Sequence, residues 1–396
     1  MRYKAIFRGL RSPCYVIDDK HNIEVYRVEK MKKMYVKEDY MGAWAQSIKT
    51  TLEKSQGSAA RALDRLPTVV QKQLVKRLKY PYQFSQLDPF IQCLMALQLK
   101  QGKIGFIGQD YHQSRELFEK NIKSLAGKST PIEQVEDLRL PLISGTVFAR
   151  HYHPAPQKKL PCVVFYHGGG FVVGSLDSHD EVCRLIAKHA GVQVISIDYP
   201  LAPEVSPHQL IKICEDALAW VYQNRRQLKI LKNRIAVAGD SAGGNIATVV
   251  AQRAQDKAYA AHAQLLLYPV VDFKSRHPSF FAYKDGLVLT AQDVDVVEEL
   301  YAKQHSISLD DPIISPTYGK LDHLAPAFII TAGHDVLHDE ASIYSHKLIQ
   351  RGVSVHYQEY KDQTHGFVNL TPISKRAKKY VIEISKNFRK FWDKQH

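Results

Sequence analysis

Residues 234–247 read RIAVAGDSAGGNIA, and they set the frame for the rest of the chain. An apolar β-type run, Arg234–Gly239, passes through Gly239-Asp240-Ser241-Ala242-Gly243 into a helix-forming stretch. The G-x-S-x-G spacing has a steric cause. A strand-to-helix turn tight enough to present Ser241 at its tip strains that residue's backbone. Side chains two positions either side would collide, so Gly239 and Gly243 must lack them. The turn also aims Ser241 at the helix N-terminus, where unpaired amides favour developing negative charge. A hydroxyl so placed is a candidate nucleophile.

Strand and helix signals alternate around this turn. Strands are expected at Val135–Leu142, Thr146–Tyr152, Pro161–Tyr166, Val192–Asp198, Arg234–Gly239, Ala263–Tyr268, Ala327–Thr331 and Val353–Tyr360. Several are near-continuous apolar runs (VVFYH, VQVISIDY, QLLLYPV), which suit strands covered on both faces of a mainly parallel sheet. Helices are expected at Asp180–His189, Pro207–Gln227, Ala242–Lys257 and Glu340–Arg351. A last helix reads as capped by Thr371, with Pro372 at its first turn. The fold class is therefore α/β, with helices on both faces of an eight-stranded sheet.

A second motif, CVVFYHGGGFVVGS, spans residues 162–175. His167-Gly168-Gly169-Gly170 follows an apolar strand, and adjacent glycines let backbone amides turn inward toward a ligand. In an acyl-transfer reading the amides of Gly169, Gly170 and Ala242 hold an oxyanion. His167 braces this loop rather than serving as the base. A serine alkoxide needs a base, and the base needs an orienting carboxylate. Downstream the chain offers FIITAGHDVLHDE (328–340) and KDQTHGFVN (361–369). Asp335 follows a strand at the carboxyl edge of a parallel sheet, and His365 follows the last strand. Asp339 and Glu340 compete with Asp335, and His334 and His356 compete with His365.

Together these residues resemble the hormone-sensitive-lipase-like (HGGG, bacterial family IV) esterases and lipases of the α/β-hydrolase superfamily. The resemblance runs over about residues 86–396 and includes HGGGFVVGS, IDYPLAPE (197–204), GDSAGGNIA (239–247), LYPVVD (267–272), HDVLHDE (334–340) and THGFVNL (364–370). It implies an α/β-hydrolase fold and a serine hydrolase that cleaves carboxylic esters of short to medium acyl chain through an acyl-enzyme. In that reading Ser241 is nucleophile, His365 general base and Asp335 its orienter. Gly169, Gly170 and Ala242 form the oxyanion hole, supported by His167, Gly168, Gly239 and Gly243. The resemblance also implies a helical cap from the segment just before residue 135 and from about 273–325, which is rich in aromatics (Phe273, Phe280, Phe281, Tyr283, Tyr301). Two positions depart from the family pattern. Pro200 stands where the family usually has arginine, so an ion pair anchored there is expected to be missing. His334 replaces a residue that is commonly apolar or aromatic.

The 396 residues are 45% hydrophobic and 24% charged, which excludes wholesale disorder. No apolar run approaches the ~18 residues of a membrane-spanning helix, and the N-terminus reads as lacking a Sec signal. The five cysteines show no CxxC pair and indicate neither a disulfide framework nor a zinc site, so a reduced, cytoplasmic protein is expected. Of the net charge of +14, about +10 falls in residues 1–85 (18 Lys+Arg against 8 Asp+Glu). That asymmetry reads as a basic, partly helical extension on a near-neutral body rather than as a nucleic-acid binder. Stripes at Leu63, Leu66, Val70, Leu74 and Leu78, and at Trp44, Ile48 and Leu52, either dock on the body or contact an anionic membrane peripherally. Whether the extension joins the cap is open. Gly127-Lys128-Ser129-Thr130 imitates a phosphate-binding loop but lacks its upstream glycine, which is Ile122. The expected mechanism needs no metal or organic cofactor. A catalytically inactive receptor on the same fold, a membrane-surface lipase and an amide deacylase are the alternatives. Oligomeric state, physiological substrate and alcohol preference are not readable.

Overall fold

The computed structural model describes residues 56–395, except 83, 101, 103, 104 and 109, together with three short strands near the N-terminus. The chain divides into two compact units, Met1–Lys54 and Ser55–His396. In the first, β1 (Ala5–Ile6), β2 (Cys14–Ile17) and β3 (Ile23–Tyr26) form an antiparallel sheet. These strands were not expected. Each is too short for its β-branched and aromatic residues to stand out from the basic sequence around it. The Trp44, Ile48, Leu52 stripe lies outside the described residues.

The second unit is built on eight strands: β4 (Gln134–Leu142), β5 (Gly145–His153), β6 (Leu160–Tyr166), β7 (Gln193–Asp198), β8 (Ile230–Asp240), β9 (Gln264–Leu267), β10 (Ala327–His334) and β11 (Val355–Thr364). All eight fall on the expected segments. Their order in the sheet is β11-β10-β9-β8-β6-β7-β5-β4, with β5 running against its neighbours β4 and β7. The apolar runs account for the interior position of β6, β7, β9 and β10, which are buried along almost their whole length. β4, at the antiparallel edge, keeps a mostly solvent-facing pattern instead.

Period two sorts the side chains to the two faces. Val164, Tyr166, Ile235 and Val237 join one core with Leu210 and Leu218 of α6 (Pro207–Gln223) and Ile246 and Val250 of α7 (Ala242–Ala254). Val163, Phe165, Ala236 and Ala238 join the other with Val182 and Ile186 of α5 (Asp180–Ala190) and Val381, Ile384 and Phe388 of α11 (Lys375–Asp393). The last helix starts later than expected. Ser374, not Thr371, is its cap, its hydroxyl accepting from Ala377 N–H at 3.2 Å. Residues 367–370 form a 3-10 turn, and Ile373 is drawn into a separate cluster rather than onto the α11 face.

That cluster also moves the expected division at residue 85. A helix over 56–64 (α1), α2 (Thr68–Leu78) and α3 (Pro89–Lys100) belong to the larger unit. Ala60, Leu87, Phe90, Ile91 and Met95 pack there with Leu287 and Ile373. Pro67 ends the first turn pattern and stands as N-cap of α2. The remaining elements are α4 (Tyr111–Leu125), α8 (Pro278–Ala282), α9 (Ala291–Val297), which runs on into a π-turn, and α10 (His338–Gln350).

Candidate active site

The parallel strands all end at one edge, and four of them hand the chain directly to a candidate residue. β6 ends before His167, β8 before Ser241, β10 before Asp335 and β11 before His365. Sheet topology therefore brings distant segments together without any one loop having to reach far.

At the end of β8 the backbone reverses sharply. Ser241 adopts a left-handed φ of 55°, which costs a residue with a Cβ about 1–2 kcal/mol. Its N–H donates to Leu267 O at 2.8 Å, and its carbonyl accepts from Asn245 N–H at 3.0 Å. The flanking glycines are sterically forced. A Cβ on Gly239 would lie 2.2 Å from the Gly243 carbonyl oxygen, and one on Gly243 would lie 2.0 Å from that of Tyr166.

His365 Nε2 stands 2.8 Å from Ser241 Oγ, and its Nδ1 stands 2.7 Å from Asp335 Oδ2. All three residues are buried, and Asp335 Oδ1 accepts from Leu337 N–H at 2.9 Å, which fixes the carboxylate's plane. Tyr268 lies against the imidazole at 4.7 Å between ring centroids. The competitors are engaged elsewhere. Asp339 accepts from Ser279 N–H and lies beside His338, while Glu340 accepts from Val271 N–H. His356 stacks on Phe328. His334 is buried against Phe84 and Tyr283, and burial holds its imidazole below its ordinary pKa, so an aromatic-lined position receives a neutral ring.

The glycine loop after β6 folds beside Ser241. Among the described residues no protein acceptor takes the N–H of Gly169, Gly170 or Ala242, so these donors remain available to an anion. His167 is fully buried and stacks on Tyr199 at 4.3 Å, and its Nδ1 lies 2.9 Å from Gly168 O. Burial, with His179 beside it, depresses its pKa to about 3. Among the described residues its ring nitrogens make no hydrogen bond to Ser241 Oγ.

Side chains that the sequence did not single out lock this loop. Asp240 Oδ1 accepts from Gly168 N–H at 2.8 Å and lies 3.1 Å from His179 Nε2. Burial raises the Asp240 carboxyl, but His179 and the Gly168 amide more than offset it and leave it below the usual carboxylate range. Asp240 lies inside the quoted G-x-S-x-G turn, so it was visible, but nothing there marked its partner. Asp293 of α9 accepts from Phe106 N–H and Ile107 N–H at 2.8 and 3.0 Å. Of the aromatics in 273–325, Tyr301 stacks on Phe171 at 3.8 Å, whereas Phe281 is exposed. Four residues beyond Pro200, Glu204 is held by Arg115 of α4, at 2.6 and 2.7 Å. Among the described residues there is no group of acidic, histidine and cysteine side chains arranged to hold a metal, and no helix long and apolar enough to cross a membrane.

Comparison with known proteins agrees with this architecture. The profile of the alpha/beta hydrolase fold family matches residues 163–369. The carboxylic ester hydrolase LipN of Mycobacterium tuberculosis is 35% identical over 318 residues, covering 78% of this chain and 84% of that protein. The ethyl acetate hydrolase of Pseudomonas putida is 35% identical over 279 residues, covering 69% and 87%. Among solved structures, an esterase of Pyrobaculum calidifontis superposes with a TM-score of 0.67 at 38% identity, covering 72% of this chain and 94% of that one. By the matched profile and the reach of these relatives, the chain belongs to the alpha/beta-hydrolase fold family, in its hormone-sensitive-lipase-like branch of carboxylic ester hydrolases.

Proposed function

We propose that the chain hydrolyses carboxylic esters of short to medium acyl chain through an acyl-enzyme on Ser241. The observation that carries this is the continuous hydrogen-bonded run from Ser241 Oγ through His365 to Asp335, at 2.8 and 2.7 Å. His365 Nε2 takes the hydroxyl proton as Oγ attacks the ester carbonyl. Asp335 holds Nδ1–H and stabilises the imidazolium that forms. The developing oxyanion accepts from the N–H groups of Gly169, Gly170 and Ala242, each donor being worth roughly 10²–10³ in rate. Collapse of the tetrahedral species expels the alcohol, which takes its proton from His365. The same imidazole then deprotonates a water that attacks the acyl carbonyl and frees Ser241. Four buried free thiols among the described residues support a reducing, cytoplasmic setting.

Ser241→Ala tests the reading. Turnover of p-nitrophenyl acetate should vanish while the circular dichroism spectrum stays that of the parent. Retained turnover would sink it. A series from acetyl to palmitoyl esters then defines the acyl limit.

A second reading, peripheral membrane contact, rests on α2. Gln71 is the residue this helix buries, whereas Leu66, Val69 and Val70 are exposed among Arg65, Lys72, Lys76 and Arg77. Co-sedimentation with phosphatidylserine vesicles should weaken in Val69→Asp/Val70→Asp. Equal binding by that variant and its parent would dispose of the contact.

A further inference from the structure

The oxyanion loop carries backbone strain that neither glycine motif explains. Phe171 follows Gly170 with a φ of 63°, a region costly for a side chain with a Cβ, and such residues persist only where their surroundings over-determine them. Ring stacking on Tyr301 fixes the Phe171 side chain. Hydrogen bonds fix the backbone either side. Ala202 N–H donates to Phe171 O at 2.9 Å, and the N–H groups of Val172 and Val173 donate to Gly169 O at 3.1 and 2.9 Å.

One side chain ties this loop to its neighbour. Arg115, on α4, donates from Nε to Val172 O at 2.8 Å and from Nη2 to Ala202 O at 2.8 Å. Its remaining reach is taken by the bidentate pair with Glu204, and its guanidinium lies over the Tyr111 ring at 5.0 Å. The planar fork thus spans the loop after β6 and the loop after β7. An ammonium, with no fixed fork, cannot meet these acceptors in one geometry.

We propose that Arg115 is a positioning residue for the oxyanion hole: it holds Val172 and Ala202 so that the Gly169 and Gly170 amides keep their aim. This rests on the serine-esterase reading above. Arg115 touches no reacting atom, so its removal displaces donors rather than deleting them. The cost should fall below that of losing one donor outright, at roughly ten- to a hundredfold in kcat. Ground-state binding of the acyl and alcohol groups is not involved, so KM should stay nearly constant.

The test uses the full chain with Arg115→Gln, Arg115→Lys and Glu204→Gln. Each is assayed with p-nitrophenyl acetate and with a trifluoromethyl ketone, whose tetrahedral adduct on Ser241 places an oxyanion where the transition state has one. The expected result is a fall in kcat matched by an equal fall in ketone affinity, with Arg115→Lys failing to restore either. Glu204→Gln, which keeps the shape of the clamp, should show a smaller loss in the same proportion and serves if the Arg115 variants do not fold. Wild-type kcat and ketone affinity in Arg115→Gln, or a lowered melting temperature as its only change, would overturn the proposal. Failure of the underlying reading would look different, because the unsubstituted protein would then show no Ser241-dependent turnover.

Discussion

The turn that presents Ser241 and the residues Phe106, Ile107 and Arg115 border the same oxyanion loop, yet they are held in opposite ways. The turn is local. Gly239 and Gly243 are excluded from bearing side chains by carbonyls at 2.2 and 2.0 Å, and the backbone bond from Ser241 to Leu267 completes it. Phe106, Ile107 and Arg115 are instead held through side-chain bonds to residues remote in sequence. Asp293 reaches Phe106 across 187 positions, and Arg115 reaches Glu204 across 89. A backbone-made site tolerates almost no substitution, whereas a side-chain-made wall can be altered by degrees.

The largest effect should come from breaking the backbone-made half. Gly243→Ala places a methyl 2.0 Å from the Tyr166 carbonyl oxygen, where only backbone can yield. A loss of roughly 3–5 kcal/mol is expected, read as failure to accumulate soluble protein or as a collapsed melting temperature. A wild-type melt would mean that the turn is looser than its geometry says.

The remote half should give way more gently. Asp293 accepts from Phe106 N–H, Ile107 N–H, Thr290 N–H and Thr290 Oγ1. Asp293→Asn keeps the shape but removes the charge and turns one acceptor into a donor. About 2–3 kcal/mol of stability should be lost in urea unfolding, with the fold preserved.

The smallest effect sharpens the comparison from the glycine loop. His167 is held near pKa 3, against 6.5 for the free group, by burial and by His179. Below pH ~6.5 the unfolded chain binds a proton that the fold refuses, so stability is complete above that pH and is lost as pH falls toward 3. Between pH ~6.5 and ~5 this amounts to about 2 kcal/mol. Unfolding free energies across that interval should show the slope, and His167→Phe should make it shallower while His153, also depressed by burial, keeps its own share. An unchanged slope would assign the acid sensitivity to other groups.

The same contrast explains what was legible in the sequence. The central strands β6, β7, β9 and β10 stand out as apolar runs, and the triad candidates stand at the carboxyl ends of parallel strands, because topology alone puts those ends on one rim. G-x-S-x-G and HGGG were readable because close backbone approach leaves glycine no alternative. Arg115, Asp293 and the Asp240–His179 pair were not readable. Each is an ordinary charged or titratable residue whose partner is set by tertiary packing, and such pairings leave no periodic trace. The start of α11 was misplaced for a related reason. Thr371-Pro372 is a sound local helix start, but burial of Ile373 beside α3 spends those residues on a turn and leaves Ser374 to cap. The division expected at residue 85 followed the charge distribution, whereas the boundary at Ser55 follows apolar contacts made by Ala60 and Leu87.

The central claim is that Ser241, His365 and Asp335 act as one activated nucleophile. A fluorophosphonate probe tests it most directly, because it reacts far faster with a serine whose proton is being removed than with an ordinary hydroxyl. Intact-mass analysis should show a single phosphonyl adduct, peptide mapping should place it on Ser241, and His365→Ala should abolish it without unfolding the chain. An unlabelled protein, or an adduct that survives the loss of His365, would contradict the account.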